Sequence, residues 1–223
     1  MVNESNRERL TAAAFALFEE QGYEQTTVDD IAARAGVGRT TFFRAFGSKD
    51  DVIFPHHESL VLAVRDRLHA AAPDAGVPAL VEGARLVLTH YLDEGDLARA
   101  RYRLTRTVPA LRHREIGGVQ QYQRLFRDFI TERGIRADPL HAELLADALV
   151  TAHNYVLRRW LREPGSDPIA EFDRAMADVL RLFSPGGPSG GGPGAVLILR
   201  TDHDLDALLP SIRAALDDES RSR

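Results

Sequence analysis

Apolar residues recur at intervals of three and four along the first fifty positions. Leu10, Ala13, Ala14, Leu17 and Phe18 form one face of a helix. Ser5 with Glu8 three residues on has the form of a capping box that starts this helix, and Gly22 is placed to end it. Thr27 with Asp30 repeats the start signal ahead of a short stripe of Val28, Ile31, Ala32 and Ala35. Gly36-Val37-Gly38 interrupts the pattern, Arg39–Phe46 resumes it, and Gly47-Ser48 stops it. Three short helices, the last two joined by a tight glycine turn, predict a helix-turn-helix domain over residues 1–47.

From Ser48 the periodic segments lengthen. The pattern predicts a helix from Ser48 towards Ala72, kinked at Pro55 where a backbone donor is missing. Further helices are expected over Pro78–Asp93, Leu97–Val108 (ended by Pro109), Arg112–Arg133, Pro139–Arg162 and Pro168–Phe183. Gly117-Gly118 forms a weak point near the start of Arg112–Arg133. Six amphipathic helices with short connections make an all-α bundle over residues 48–183. Residues 184–194 (SPGGPSGGGPG) read as a flexible linker. Beyond it, 195–223 hold an apolar run of strand length, Ala195–Leu199, and an amphipathic helix around Leu205–Leu216 bent at Pro210.

Composition narrows the function. The 28 Lys+Arg and 33 Asp+Glu leave a formal charge of −5, so contact with a polyanion requires a local patch. Such a patch exists: between Ile31 and Lys49 stand Arg34, Arg39, Arg44 and Lys49 and no acid. Cations spaced around a helix-turn-helix suit phosphate binding, and equally suit a merely soluble surface. The absence of cysteine removes disulfides, thiolate nucleophiles and cysteine-based zinc sites. No apolar run approaches the roughly 18 residues of a membrane span, and the polar start Met1–Arg9 does not read as a signal peptide. These features lead to the expectation of a soluble, cytoplasmic chain without a membrane partner.

Ala16-Leu17-Phe18, then Gly22-Tyr23, then TTVDDIAARAGVGRTTFFRAFGSKDDV over Thr26–Val52 resemble the N-terminal domain of the TetR family of bacterial transcriptional regulators. The resemblance covers about fifty residues. It implies a homodimer that binds double-stranded DNA, with a second domain that takes a small molecule and thereby controls DNA affinity. Carried over position by position, the DNA-binding set is Thr27, Gly38, Arg39, Thr40, Thr41, Phe43, Arg44 and Lys49. Arg39, Thr40 and Thr41 open the recognition helix, with Arg39 placed for a bidentate guanine contact. Phe43 stands where the family usually has a phosphate-binding tyrosine, Gly38 where Ser or Thr usually caps the helix, and Ala45 where His or Tyr is usual. Lys49 falls on the family's lysine and would hold a phosphate at the start of the next helix.

In the bundle, His90, Tyr102, Tyr122, Phe126, His153 and Tyr155 sit on otherwise apolar faces and are the candidate pocket residues. An apolar cavity with a few polar anchors is the general form of a small-molecule site, although any one such residue is as readily core. The expected effector is a hydrophobic or amphipathic molecule with its polar end near His153 or an inward-facing arginine of the run Arg99, Arg101, Arg103 and Arg106. Wide apolar faces on the last two helices point to a partner. The resemblance makes that partner a second copy, joined through Leu145, Leu149, Val156, Trp160, Phe172, Met176 and Val179. A two-fold dimer would read a pseudo-palindromic operator, and repression is the commoner mode in the family.

Enzymatic chemistry finds little footing. His56-His57-Glu58 lacks the i, i+4 spacing of helical zinc ligands, and the glycines at 186–194 do not join a strand to a helix as a phosphate loop does. Neither a metal nor a cofactor is expected. The rival reading is a dimeric helical adaptor that binds proteins rather than DNA.

Overall fold

The computed structural model describes residues 4–72, 75–136, 138–163, 165 and 167–183. Among these it is all-helical, with no strand. The helices are α1 (Glu4–Gln21), α2 (Val28–Arg34), α3 (Arg39–Ala45), α4 (Lys49–Ile53) and α5 (His57–His69), followed by α6 (Gly76–Glu94), α7 (Asp96–Thr107), α8 (Pro109–Glu132), α9 (Pro139–Arg162) and α10 (Pro168–Leu182). The linker, strand and helix expected over 184–223 lie outside the described residues.

Local chemistry explains most boundaries. The Thr27 side chain accepts from Asp30 N while the Asp30 carboxylate accepts from Thr27 N, a reciprocal cap that starts α2. At its other end Gly36 takes φ +65°, Gly36 N–H donates to Ala33 O at 3.0 Å, and Val37 N–H donates to Ala32 O at 2.9 Å. These are the paired bonds of a Schellman turn, and they redirect the chain from α2 into α3. Ser48 caps α4 by accepting from Asp51 N. Asp138 and Asp167 cap α9 and α10, each followed by a proline at the first helical position.

Four boundaries differ from the sequence expectation. Helix α1 begins at Glu4, so Ser5 lies inside it rather than capping it. Pro55 breaks the expected long helix instead of kinking it, and α4 and α5 are separate with Phe54, Pro55 and His56 between them. Among the described residues the bundle region therefore holds seven helices from residue 48 rather than six. Pro109 opens α8 where it was expected only to close its predecessor, because proline loses nothing at a position whose N–H has no helical partner. Gly117 and Gly118 sit inside an unbroken α8, and a Cβ on Gly118 would come within 2.9 Å of the His57 ring. That glycine lets α5 approach α8 closely.

The buried side chains form two clusters. Leu10, Ala14, Leu17, Phe18, Ile31, Phe42 and Phe46 build the first, together with Val52 and Ile53 of α4 and with Val108 and Leu111 from the α7–α8 corner. The second is the bundle core, with Leu80, Leu88, Phe126, Ile130, Leu145, Leu149 and Phe172 at its centre. Helix α4 thus packs with the first three helices, and the α7–α8 corner carries the second set against the first.

Gly36→Ala tests the turn. A side chain at φ +65° is strained, and its Cβ would meet Arg9 Nη2 at 3.0 Å. The substitution is expected to cost about 1–2 kcal/mol, read as a lower urea midpoint with an unchanged slope.

Candidate nucleic-acid interface and internal cavity

Helix α3 turns Phe42 into the first core, with Phe46 just beyond its end, and leaves Arg39, Thr40, Phe43 and Arg44 on its outer face. Phe43 is 44% exposed, Gly38 is exposed, and Thr41 is half-buried. Arg39 extends across this face, 5.3 Å from the Phe43 ring centroid, and donates to both oxygens of Asp29 on α2 at 2.7 and 2.8 Å. Arg34 makes a two-pronged pair with Glu20 of α1, and that bond holds the Glu20 carboxyl below its usual range. The cationic ridge seen in the sequence is therefore partly neutralised by acids that the fold brings in from α1 and α2. Both partners of the Arg39–Asp29 pair are more than 60% exposed, so the pair is weak and open to exchange with another anion.

Lys49, expected to hold a phosphate, is largely engaged within the chain. Its ammonium donates to Tyr23 O at 2.8 Å and Thr26 O at 3.0 Å and sits 4.1 Å from the Tyr23 ring centroid. It pins the α1–α2 connection to the start of α4, leaving one of its three N–H donors. Thr27 is exposed, but its hydroxyl also bonds Asp30 within the cap.

Arg7, which the sequence did not single out, holds the far end of α3. It donates to Ala45 O at 2.6 Å and to Pro55 O at 2.5 Å, with its guanidinium 4.4 Å from the Phe46 ring centroid. One side chain thus satisfies a carbonyl at the C-terminus of α3 and another in the α4–α5 break. Its only sequence signal was an arginine, with Arg9, among polar residues in the first turns of α1.

A cavity of about 80 Å³ lies within the bundle, with room for several waters. Of the candidate pocket residues, Tyr102, Tyr122, Phe126 and His153 line it, joined by Phe54, His57, Tyr91, Arg101, Glu115 and Asn154. His90 does not reach it; its ring packs edge-on to His56 and its Nε2 lies 3.6 Å from Glu94. Tyr155 is 57% exposed. Two residues along a helix turn the side chain by about 200°, so His153 and Tyr155 cannot face one cavity.

Two polar atoms on the cavity wall, Tyr122 Oη and His153 Nε2, are buried without a hydrogen-bond partner. Burial lowers the His153 pKa to about 4 and raises that of the Tyr122 phenol. Burial also raises the Glu115 carboxyl, against the pull of Arg158 nearby.

Arg101 is the inward-facing member of the arginine run, 5% exposed. Its Nη1 and Nη2 each donate at 2.7 Å to the Glu94 carboxylate, and its Nε donates at 2.6 Å to Ile53 O at the end of α4. Arg99 instead lies across Trp160, its guanidinium 4.4 Å from the ring centroid, and donates to the carbonyls of Trp160 and Leu161 near the end of α9.

Leu145, Leu149, Val156, Phe172, Met176 and Val179 are buried within this single chain, and Trp160 is half-buried against the same core. The six buried ones are not the surface on which a partner could sit. Helix α9 lies against α6, α7, α8 and α10, so its apolar width serves its own bundle. Large apolar side chains that do face outwards on α9 and α10 are Leu140, Tyr155, Ile169 and Leu182. Among the described residues no helix is long and apolar enough to cross a membrane.

Residues 10–54 match the sequence profile of the bacterial regulatory proteins of the tetR family, and residues 75–184 match that of the MftR C-terminal domain. The HTH-type transcriptional regulator TcmR of Streptomyces glaucescens is 28% identical over 173 residues, 72% of this chain and 75% of TcmR. The HTH-type transcriptional regulator HbdR of Aromatoleum sp. (strain CIB) is 43% identical over 51 residues, covering 23% of this chain and only 22% of HbdR's length. Among solved structures, a TetR-family transcriptional repressor, FadR of Thermus thermophilus in complex with lauroyl-CoA, has the same fold. Its TM-score is 0.55 at 24% identity, over 83% of this chain and 100% of that one.

Two stability measurements follow from the buried groups. Arg101→Met leaves Glu94 buried and unpaired and is expected to cost about 3–5 kcal/mol in denaturant unfolding; adding Glu94→Gln should recover part of that loss. His153 stays neutral down to about pH 4 in the folded chain but takes up a proton near 6.5 when unfolded. The unfolded state binds the extra proton between those values, so this contribution is complete above pH 6.5 and falls away towards pH 4, by about 3 kcal/mol. Urea titrations at pH 7 and pH 4 should show that component in the native chain and not in His153→Leu.

Proposed function

The chain belongs to the TetR family of bacterial regulators, and from that premise we propose that it is a homodimeric repressor whose grip on a pseudo-palindromic operator is set by a small hydrophobic effector. The observation that carries the reading is the outer face of α3. Arg39, Thr40, Phe43 and Arg44 stand exposed on it, while Arg7 fixes the end of the same helix to the chain behind. A helix presented in this way can enter a major groove, with Arg39 exchanging Asp29 for a guanine edge and the neighbouring side chains meeting phosphate and thymine methyl groups. The outward Leu140, Tyr155, Ile169 and Leu182 on α9 and α10 favour a second copy as the partner there.

The bundle cavity supports control by an effector. Phe54 and His57 line it and flank the α4–α5 break, and Arg101, also on its wall, holds the last carbonyl of α4. A ligand that shifts this wall moves α4, and through the Arg7 bond to Pro55 O it acts on the end of α3. A differential affinity of ~1–3 kcal/mol between the two positions of α4 would change DNA affinity about 5–150-fold. The acyl-CoA complex of FadR gives a precedent for an amphipathic ligand under this fold.

Selection of bound duplexes from a random pool by the purified protein tests the DNA half. The expected outcome is a pseudo-palindrome, bound about 5–150-fold more weakly by Arg39→Ala at unchanged helix content. A helical adaptor would enrich no sequence and would be indifferent to that substitution.

A further inference from the structure

Resting on the effector-cavity reading above, we propose that the cavity selects an uncharged aromatic molecule bearing a hydroxyl, whose O–H donates to His153 Nε2 while Tyr122 Oη makes a second bond to the same polar group. The argument begins with the two orphaned atoms. Buried polar atoms without partners are rare in folded proteins, and two on one cavity wall mark where a ligand's polar group belongs.

The sense of the bond comes from Asn154. Its carbonyl oxygen lies 3.3 Å from His153 Nδ1 and can only accept, and the tautomer that satisfies this contact carries its proton on Nδ1 and presents a bare lone pair at Nε2. Burial keeps the ring uncharged at neutral pH. A carboxylate placed there would set its own lone pairs against that of Nε2, whereas a hydroxyl offers the donor the site lacks. The Tyr122 phenol, also held in its neutral form, donates its own proton to the same oxygen.

Two of the three arginines on the wall are already engaged: each nitrogen of Arg101 by Glu94 or Ile53 O, and Arg114 by Asp51, while Arg158 is exposed to water near Glu115. The remaining lining is rich in rings, with Phe54, Tyr91, Tyr102 and Phe126. Planar aromatic frames pack on such walls by offset and edge contacts.

Calorimetric titration with four probes tests the assignment: 2-naphthol, its methyl ether 2-methoxynaphthalene, 2-naphthoate and lauroyl-CoA. The naphthol should bind about tenfold or more tightly than the ether, which keeps the ring frame and the oxygen acceptor but cannot donate. That ratio should fall towards one in His153→Leu, whereas Tyr122→Phe, which keeps the ring, should weaken naphthol and ether together because both oxygens accept from the phenol. A ratio unchanged in folded His153→Leu, or tighter binding of naphthoate or lauroyl-CoA than of naphthol, overturns the hydroxyl assignment and leaves the effector cavity standing. If none of the four binds, the hydroxyl assignment and the effector reading fall together, with DNA selection unaffected.

Discussion

A guanidinium buried at the junction of two cores constrains much of this structure. Taking a charge out of water costs several kcal/mol and is tolerated only when its donors are met. Arg101 meets that demand from two directions: the fork lies on Glu94 at the end of α6, and Nε reaches the carbonyl of Ile53 at the end of α4. Neither partner can withdraw without stranding a charge. The end of α4 is therefore held to the α6–α7 corner, beside the hydrophobic junction formed by Val108 and Leu111. Arg7 then links Pro55 O to the last turn of α3. A chain of charged hydrogen bonds runs from the cavity wall to the helix proposed to read DNA, and each link is a directional bond rather than a sliding apolar contact.

Much of the fold was legible because its causes are local. Helical period, the Thr27–Asp30 cap, the Gly36 turn and the prolines opening α9 and α10 each act within a few residues, and the sequence displays them directly. Proline was read less well. Pro55 and Pro109 both forbid one hydrogen bond, and the sequence around them does not say whether the chain kinks, stops or starts afresh. The neighbours decided: Phe54 is packed against the first core and lines the cavity, and the chain breaks there instead of continuing as one rod.

The site was only half legible, for a related reason. A stripe of apolar residues reports that a helix face is buried but not what covers it. On α9 the residues from Leu145 to Val156 were assigned to a second subunit, yet α9 lies among four helices of its own chain and spends those side chains there. The cavity residues Tyr102, Tyr122, Phe126 and His153 could be named because polar rings on apolar faces stand out. Tyr155 could have been excluded by helix geometry alone. The partners of Arg34, Arg39 and Lys49 could not be foreseen, since each lies 10 to 26 residues away and is brought in by the turn between helices.

Those partners alter what the acidic net charge means for the proposed regulator. A free row of cations along α2, α3 and α4 would attract any duplex, because phosphate attraction is indifferent to sequence. Asp29 and Glu20 cancel much of that field while Arg39 and Arg34 are off DNA. The cancellation is cheap to undo, since exposed ion pairs are worth ~0.2–1 kcal/mol. A correctly placed guanine offers Arg39 a two-pronged bond worth about 1–3 kcal/mol of discrimination, enough to displace the carboxylate, whereas a mismatched base does not. The acids thus lower affinity for all DNA by a similar amount, leaving sequence-dependent bonds to supply the preference. A chain carrying −5 overall can in this way be a more selective reader of DNA than a basic one.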